Sequence, residues 1–156
     1  MALSATMPLH VKGFVHATLR FPKQCKLVQR SINRENICLI TQEITRSMQN
    51  FEDLHFVIPN LSRVGWPEIP KTMIFTDGLR DCCRIATTLS NLVPPGVHNS
   101  NEEIVLEYST GISSERREYN LHAFLSGDCR VLVCTKACGI GVDIPDVERV
   151  IQWRVT

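Results

Sequence analysis

The sequence predicts an α/β fold built on a doubly wound parallel sheet, and three observations carry that prediction. Val131–Cys134 is a continuous apolar run, the pattern of a strand covered on both faces, and a second apolar run, Val147–Trp153, follows. Leu79–Leu92 places Leu79, Cys82, Cys83, Ile85, Ala86, Leu89 and Leu92 on one face at helical spacing. Strand-like and helix-like segments alternate, which closes into a parallel sheet with helices on its faces.

Taken in order, Leu9–Arg20 reads as a helix with Val11, Phe14, Val15 and Leu19 near one face, ended before Pro22. Ile37–Thr41 reads as a short strand. Glu43–Leu54 is amphipathic and reads as a helix leading into Phe56–Ile58. Pro59–Pro70 holds three prolines and a glycine and reads as a loop. Thr72–Thr76 is a buried strand, and Asp77 or Gly78 begins the Leu79–Leu92 helix. Pro94–Glu103 is a long polar loop, and Ile104–Tyr108 the next strand. Ser113 is placed to cap a helix that runs to about Ser126 and ends at Gly127, with Leu121, Phe124 and Leu125 turned inward. Val131–Thr135 and Arg149–Trp153 close the series.

Composition narrows the function classes. With 156 residues, 44% of them hydrophobic, the chain can bury one sizeable core. A net charge of +1 is no polyanion-binding composition, so any nucleic-acid contact depends on local placement. The seven cysteines form no C-x-x-C pair, which argues against zinc and fits a reducing compartment, the nucleus ahead of the cytoplasm. No apolar stretch approaches the ~18 residues that span a bilayer, and no membrane partner is expected. His10, His16, His55, His98 and His122 show no paired spacing and are not read as ligands or catalytic groups.

The most informative string is Val131–Asp143, V-L-V-C-T-K-A-C-G-I-G-V-D, followed by I-P-D-V. A buried strand ends in Thr135, and glycines bring loop backbone close to whatever ligand sits at the strand's carboxyl end, where parallel sheets bind ligands. Whole, it resembles motif V of superfamily 2 helicases. Ser4-Ala5-Thr6 resembles motif III, and Lys71–Gly78 (K-T-M-I-F-T-D-G) resembles motif IV. Tyr108–Arg117 with Ala123–Gly127 resembles the segment before motif V. Within the superfamily, G-I-G-V-D-I-P-D-V and Ser31–Ile37 (S-I-N-R-E-N-I) are similar to RecQ-like DNA helicases. DEAD-box RNA helicases are the rival: their motif V reads A-R-G-x-D, and this chain lacks that arginine.

The resemblance implies a RecA-like second motor domain over residues 31–156. Residues 1–30 would be the end of the first motor domain and a connecting helix. It implies a 3′-to-5′ ATP-dependent DNA helicase using ATP and Mg2+, with single-stranded and duplex DNA and the first motor domain as partners. Ser4 and Thr6 would couple the ATP site to closure, Gly139, Gly141 and Asp143 would face nucleotide, and Thr76, Arg80, Gly111, Thr135 and Lys136 would contact the strand. Each has a plainer reading beside it. Ser4 and Thr6 cap the next helix, Thr135 is an ordinary strand terminus, the glycines make a turn, and Asp143 caps the turn before Pro145. Asp77 would repel a phosphate near Thr76 and Arg80. Arg116 and Arg117 belong most simply to a solvated helix face, and Trp153 to the core.

No G-K-[ST] phosphate loop occurs in the sequence, no D-E-x-H precedes the S-A-T segment, and no arginine finger follows Gln152. The expectation is therefore a piece of a longer motor, inactive alone, marginally stable and prone to aggregate. The remaining alternative is a non-catalytic remnant or passive nucleic-acid-binding domain.

Overall fold

A computed structural model describes residues 7–22, 24–26, 28, 34–59, 68–95, 103–135, 138 and 144–154. The chain divides into two compact units, Met1–Thr41 and Gln42–Thr156. In the first, α1 spans Leu9–Thr18 and buries none of its residues, leaving Leu9 and Phe14 exposed.

The second unit holds β1 (Thr72–Thr76), α2 (Leu79–Asn91), β2 (Val105–Tyr108), α3 (Ser114–Ser126), β3 (Val131–Thr135) and β4 (Arg149–Gln152). The four strands lie in the order β2-β3-β1-β4, and every pairing is parallel. Alternation along the strands builds two cores. Ile74, Val105, Val131 and Val133 point to one face, where Cys82, Ile85, Ala86 and Leu89 of α2 cover them. Met73, Leu106, Leu132 and Cys134 point to the other, where Ala123 and Phe124 of α3 lie. The doubly wound parallel sheet is thus present, with a helix layer on each face. Trp153 is buried against Phe51, ring centroids 5.7 Å apart, in the α2-side core. Buried thiols behave as small hydrophobes here: Cys82 donates to the Val133 carbonyl at 3.3 Å and Cys129 to the Ile104 carbonyl at 3.4 Å.

Local chemistry sets the helix ends. The Ser113 hydroxyl accepts from the Arg116 N–H at 3.2 Å and starts α3. Gly127 ends it at φ 90°, a left-handed conformation that costs glycine little.

Two expected elements are not formed. Residues 37–41 make no strand, and Leu39 and Ile40 are 92% and 82% exposed, since an apolar run without a partner strand buries nothing. The helix expected over Glu43–Leu54 is replaced by turns and a 3-10 helix, Glu52–Val57. The Asp53 carboxylate captures the Arg46 N–H at 3.0 Å and the Thr45 hydroxyl at 3.3 Å, which competes with helical backbone bonds. Phe51, at φ 51°, breaks the helix path outright.

Candidate nucleic-acid interface

The parallel register brings all four strand ends to one edge. Thr76 stands beside Thr135, Tyr108 beside Cys134, and Phe75 beside Gln152. The N-termini of α2 and α3 open at that same edge, after Gly78 and Ser113. Unpaired N–H groups and the helix dipole make such an edge attractive to anions.

The two threonines differ. Thr76 is fully buried and its hydroxyl donates to the Gly78 carbonyl at 3.2 Å, so it shapes the turn into α2. Thr135 is half-buried, and among the described residues its hydroxyl has no hydrogen-bond partner. Arg80 is exposed on the first turn of α2. Beside it, Asp81 pairs with Arg154, a residue at φ 62°.

The Gly111 N–H donates to the Ser109 hydroxyl at 3.1 Å, and Ser109 in turn donates to Glu107. A Cβ at Gly111 would lie 3.3 Å from the Ser109 oxygen, a tight fit. At α3 the anion position is already filled from within. The Glu115 carboxyl is held below its usual range by its own backbone N–H and by the Ser113 hydroxyl. Arg116 pairs with Glu103 at 3.0 Å on the surface, as a solvated helix face would. The edge therefore offers Thr135 and Arg80 to a ligand more openly than it offers Thr76 or the Gly111 N–H.

Ser4, Thr6, Lys136, Gly139, Gly141 and Asp143 lie outside the described residues. The segment that carries the last four is bounded by described neighbours. Thr135 ends β3, Cys138 is buried in the α3-side core, and Ile144 and Val147 pack against the same core. At the opposite, amino edge of the sheet, Lys71 is buried and paired with Asp146 at 2.8 Å, a role its place in the motif IV segment does not suggest. Its only signal was a lysine directly preceding an apolar strand.

A parallel α/β domain with its loops gathered at the strands' carboxyl edge is the class that this geometry defines. The chain belongs to the helicase conserved C-terminal domain family, which residues 67–156 match. It is 28% identical over 151 residues to the pre-mRNA-processing ATP-dependent RNA helicase PRP5 of Kluyveromyces lactis, covering 97% of this chain and 18% of that protein. It is 28% identical over 157 residues to the chloroplastic DEAD-box ATP-dependent RNA helicase 3B of Zea mays, covering 99% of this chain and 19% of that one. The chain thus spans about a fifth of the length of these curated relatives. Among solved structures, Saccharomyces cerevisiae Dbp5 bound to RNA and ADP BeF3 matches with a TM-score of 0.61 at 20% identity, covering 98% of this chain and 35% of that one. This likeness supports the RecA-like fold.

These relatives overturn the RecQ-like DNA helicase expectation, because they are RNA helicases. The second half of the string G-I-G-V-D-I-P-D-V has structural duties. Ile144 and Val147 are half-buried against the α3-side core, and Asp146 pairs with Lys71. Residues with those duties report the fold and not the kind of nucleic acid.

Proposed function

We propose that this chain is part of an ATP-dependent RNA helicase of the DEAD-box kind, contributing RNA grip and half of the ATP cleft. Residues 31–156 act as the second motor domain, and residues 1–30 as the end of the first with its connecting helix. Thr135 holds an RNA phosphate, assisted by Lys136 and by Arg80 at the neighbouring helix start. Thr76 and Gly111 shape the turns on either side. Gly139, Gly141 and Asp143 face nucleotide bound on the first motor domain, Asp143 toward the ribose, and Ser4 and Thr6 couple that site to closure. Mg2+ travels with the ATP.

One observation carries the RNA-grip reading. Of two threonines at matched strand ends, only the Thr135 hydroxyl is half-exposed and uncommitted among the described residues. The RNA helicases that the chain resembles support RNA as the strand. No G-K-[ST] loop occurs in this sequence, so hydrolysis requires the partner motor domain.

Thr135→Ala in the full-length protein tests the reading. A hydrogen bond to a charged phosphate is worth about 1.5 kcal/mol or more, so single-stranded RNA affinity should fall about tenfold. Thr76→Ser, which keeps the buried hydroxyl, should leave affinity near wild type. Unchanged affinity in Thr135→Ala sinks the grip assigned to it.

A further inference from the structure

Where the chain leaves β4, it borders a cleft of about 170 Å³ that the RNA grip does not use. Three pieces of the second unit enclose it: the turn before the 3-10 helix, the first turns of α2, and the exit of β4. Its apolar lining comes from Phe51 and Trp153, which are 2% and 5% exposed and meet edge to face. Met48 lines it too and is 55% exposed, and its thioether can adapt to whatever packs there.

Two arginines line the same cleft, each fixed by a partner of its own. Arg84 donates to the Gln49 carbonyl at 2.7 Å, and its guanidinium lies 5.1 Å from the Phe51 ring centroid. Arg154 pairs with Asp81 and holds a left-handed backbone at φ 62°, which residues with a Cβ seldom adopt. Among the described residues each guanidinium commits one nitrogen, which leaves further N–H donors on both. Two guanidiniums against the single carboxylate of Asp81 leave a surplus positive charge on the cleft. Exposed Arg80, one turn before Arg84 on α2, adds to it.

Size and lining select the occupant. A cavity of about 150 Å³ takes one benzene, so this cleft takes one ring-sized or leucine-sized group and is too small for a nucleotide. The buried rings also present no open face on which a base could stack. Aromatic and arginine side chains around a pocket of that size are the pattern of a protein–protein hot spot. The surplus positive charge complements acidic neighbours of the inserted group. We propose that the cleft docks a partner protein through one aromatic or large aliphatic side chain flanked by acidic residues, whose carboxylates meet Arg84 and Arg154. Docking here does not depend on the RNA grip assigned to Thr135.

The probe is the amidated peptide Asp-Glu-Phe-Glu-Asp, titrated calorimetrically into the full-length protein. Saturable binding is expected with a Kd below about 1 mM. Replacing the phenylalanine by glycine, or every acid by its amide, should weaken it about tenfold. Arg154→Gly should weaken it by about as much, and because glycine suits φ 62° this variant should fold. Met48→Glu changes an exposed position and sets a carboxylate in the lining, so it should weaken binding as well. No binding at about 1 mM, or full affinity in both variants, would overturn the docking site. Displacement of the peptide by single-stranded RNA would overturn it too, since the cleft would then belong to the path of the strand.

Discussion

Leu132→Ala probes the layered architecture on which the candidate interface depends. Leu132 is fully buried in β3, flanked by β1 and β2, and packs with Met73, Leu106 and Phe124 beneath α3. Removing three carbons loses about 2.4 kcal/mol of transfer free energy at ~0.8 per carbon. A site closed by paired strands on both sides cannot collapse far, so a cavity term raises the total to about 3–4 kcal/mol. With a urea slope of about 1.5 kcal/mol/M, the unfolding midpoint should fall by about 2 M. Val150→Ala is the control. Val150 lies on edge strand β4 and is 63% exposed, so losing two methyls should cost only about 0.5 kcal/mol. Urea unfolding of the chain, followed by tryptophan fluorescence through Trp153, reads both. Equal midpoint shifts for the two variants, or a Leu132→Ala cost below about 1 kcal/mol, would refute the two-layer account.

Two further outcomes follow from charge and burial. Lys71 holds the Asp146 carboxyl below its usual range. A depressed folded value adds stability that is present above the ordinary carboxylate pKa and is lost as pH falls through the folded one. The stability gap between wild type and Asp146→Asn should therefore stay constant at neutral pH and close below about pH 4; a gap unchanged down to pH 2 would contradict the pair. Thiol labelling should separate the cysteines. Cys38 and Cys83 are exposed and Cys25 half-buried, so these should react in the native chain. Burial pushes Cys82 and Cys129 up to about 12, and the hydrogen bond that the Cys134 thiol donates to Cys138, together with burial, raises Cys134. Cys138 is shifted down by Cys134 but is 1% exposed, so it too should react only on unfolding. Fast native labelling of Cys82 or Cys129 would show that the α2 and α3 layers do not close as described.

The fold was legible where local and tertiary signals agree. The β1 and β3 bounds, the Ser113 cap and the Gly127 stop all stand where the residues place them, because burial on both faces and cap chemistry leave little choice. Legibility failed over 37–54. There an apolar run found no partner strand, and Asp53 drew the Thr45 hydroxyl and the Arg46 N–H out of a helical path. Those outcomes depend on contacts that periodicity does not encode. At the interface, Thr135 could be read from its strand-end position, but the contrast with Thr76 needed the Gly78 carbonyl in view. Lys71 and Asp146 lie 75 residues apart in sequence, so their union is a product of the parallel register. The choice between DNA and RNA was misread, as the RNA helicase relatives show, and the packing and pairing of Ile144, Asp146 and Val147 carry no information on it.

The most direct test of the account compares single strands of RNA and DNA of equal length and sequence. Binding and strand separation would be measured with the full-length protein and ATP, at one fixed salt concentration. Tighter binding to RNA and ATP-dependent separation of RNA duplexes are expected, with RNA affinity about tenfold lower in Thr135→Ala. Preference for DNA, or separation of DNA duplexes alone, would contradict it.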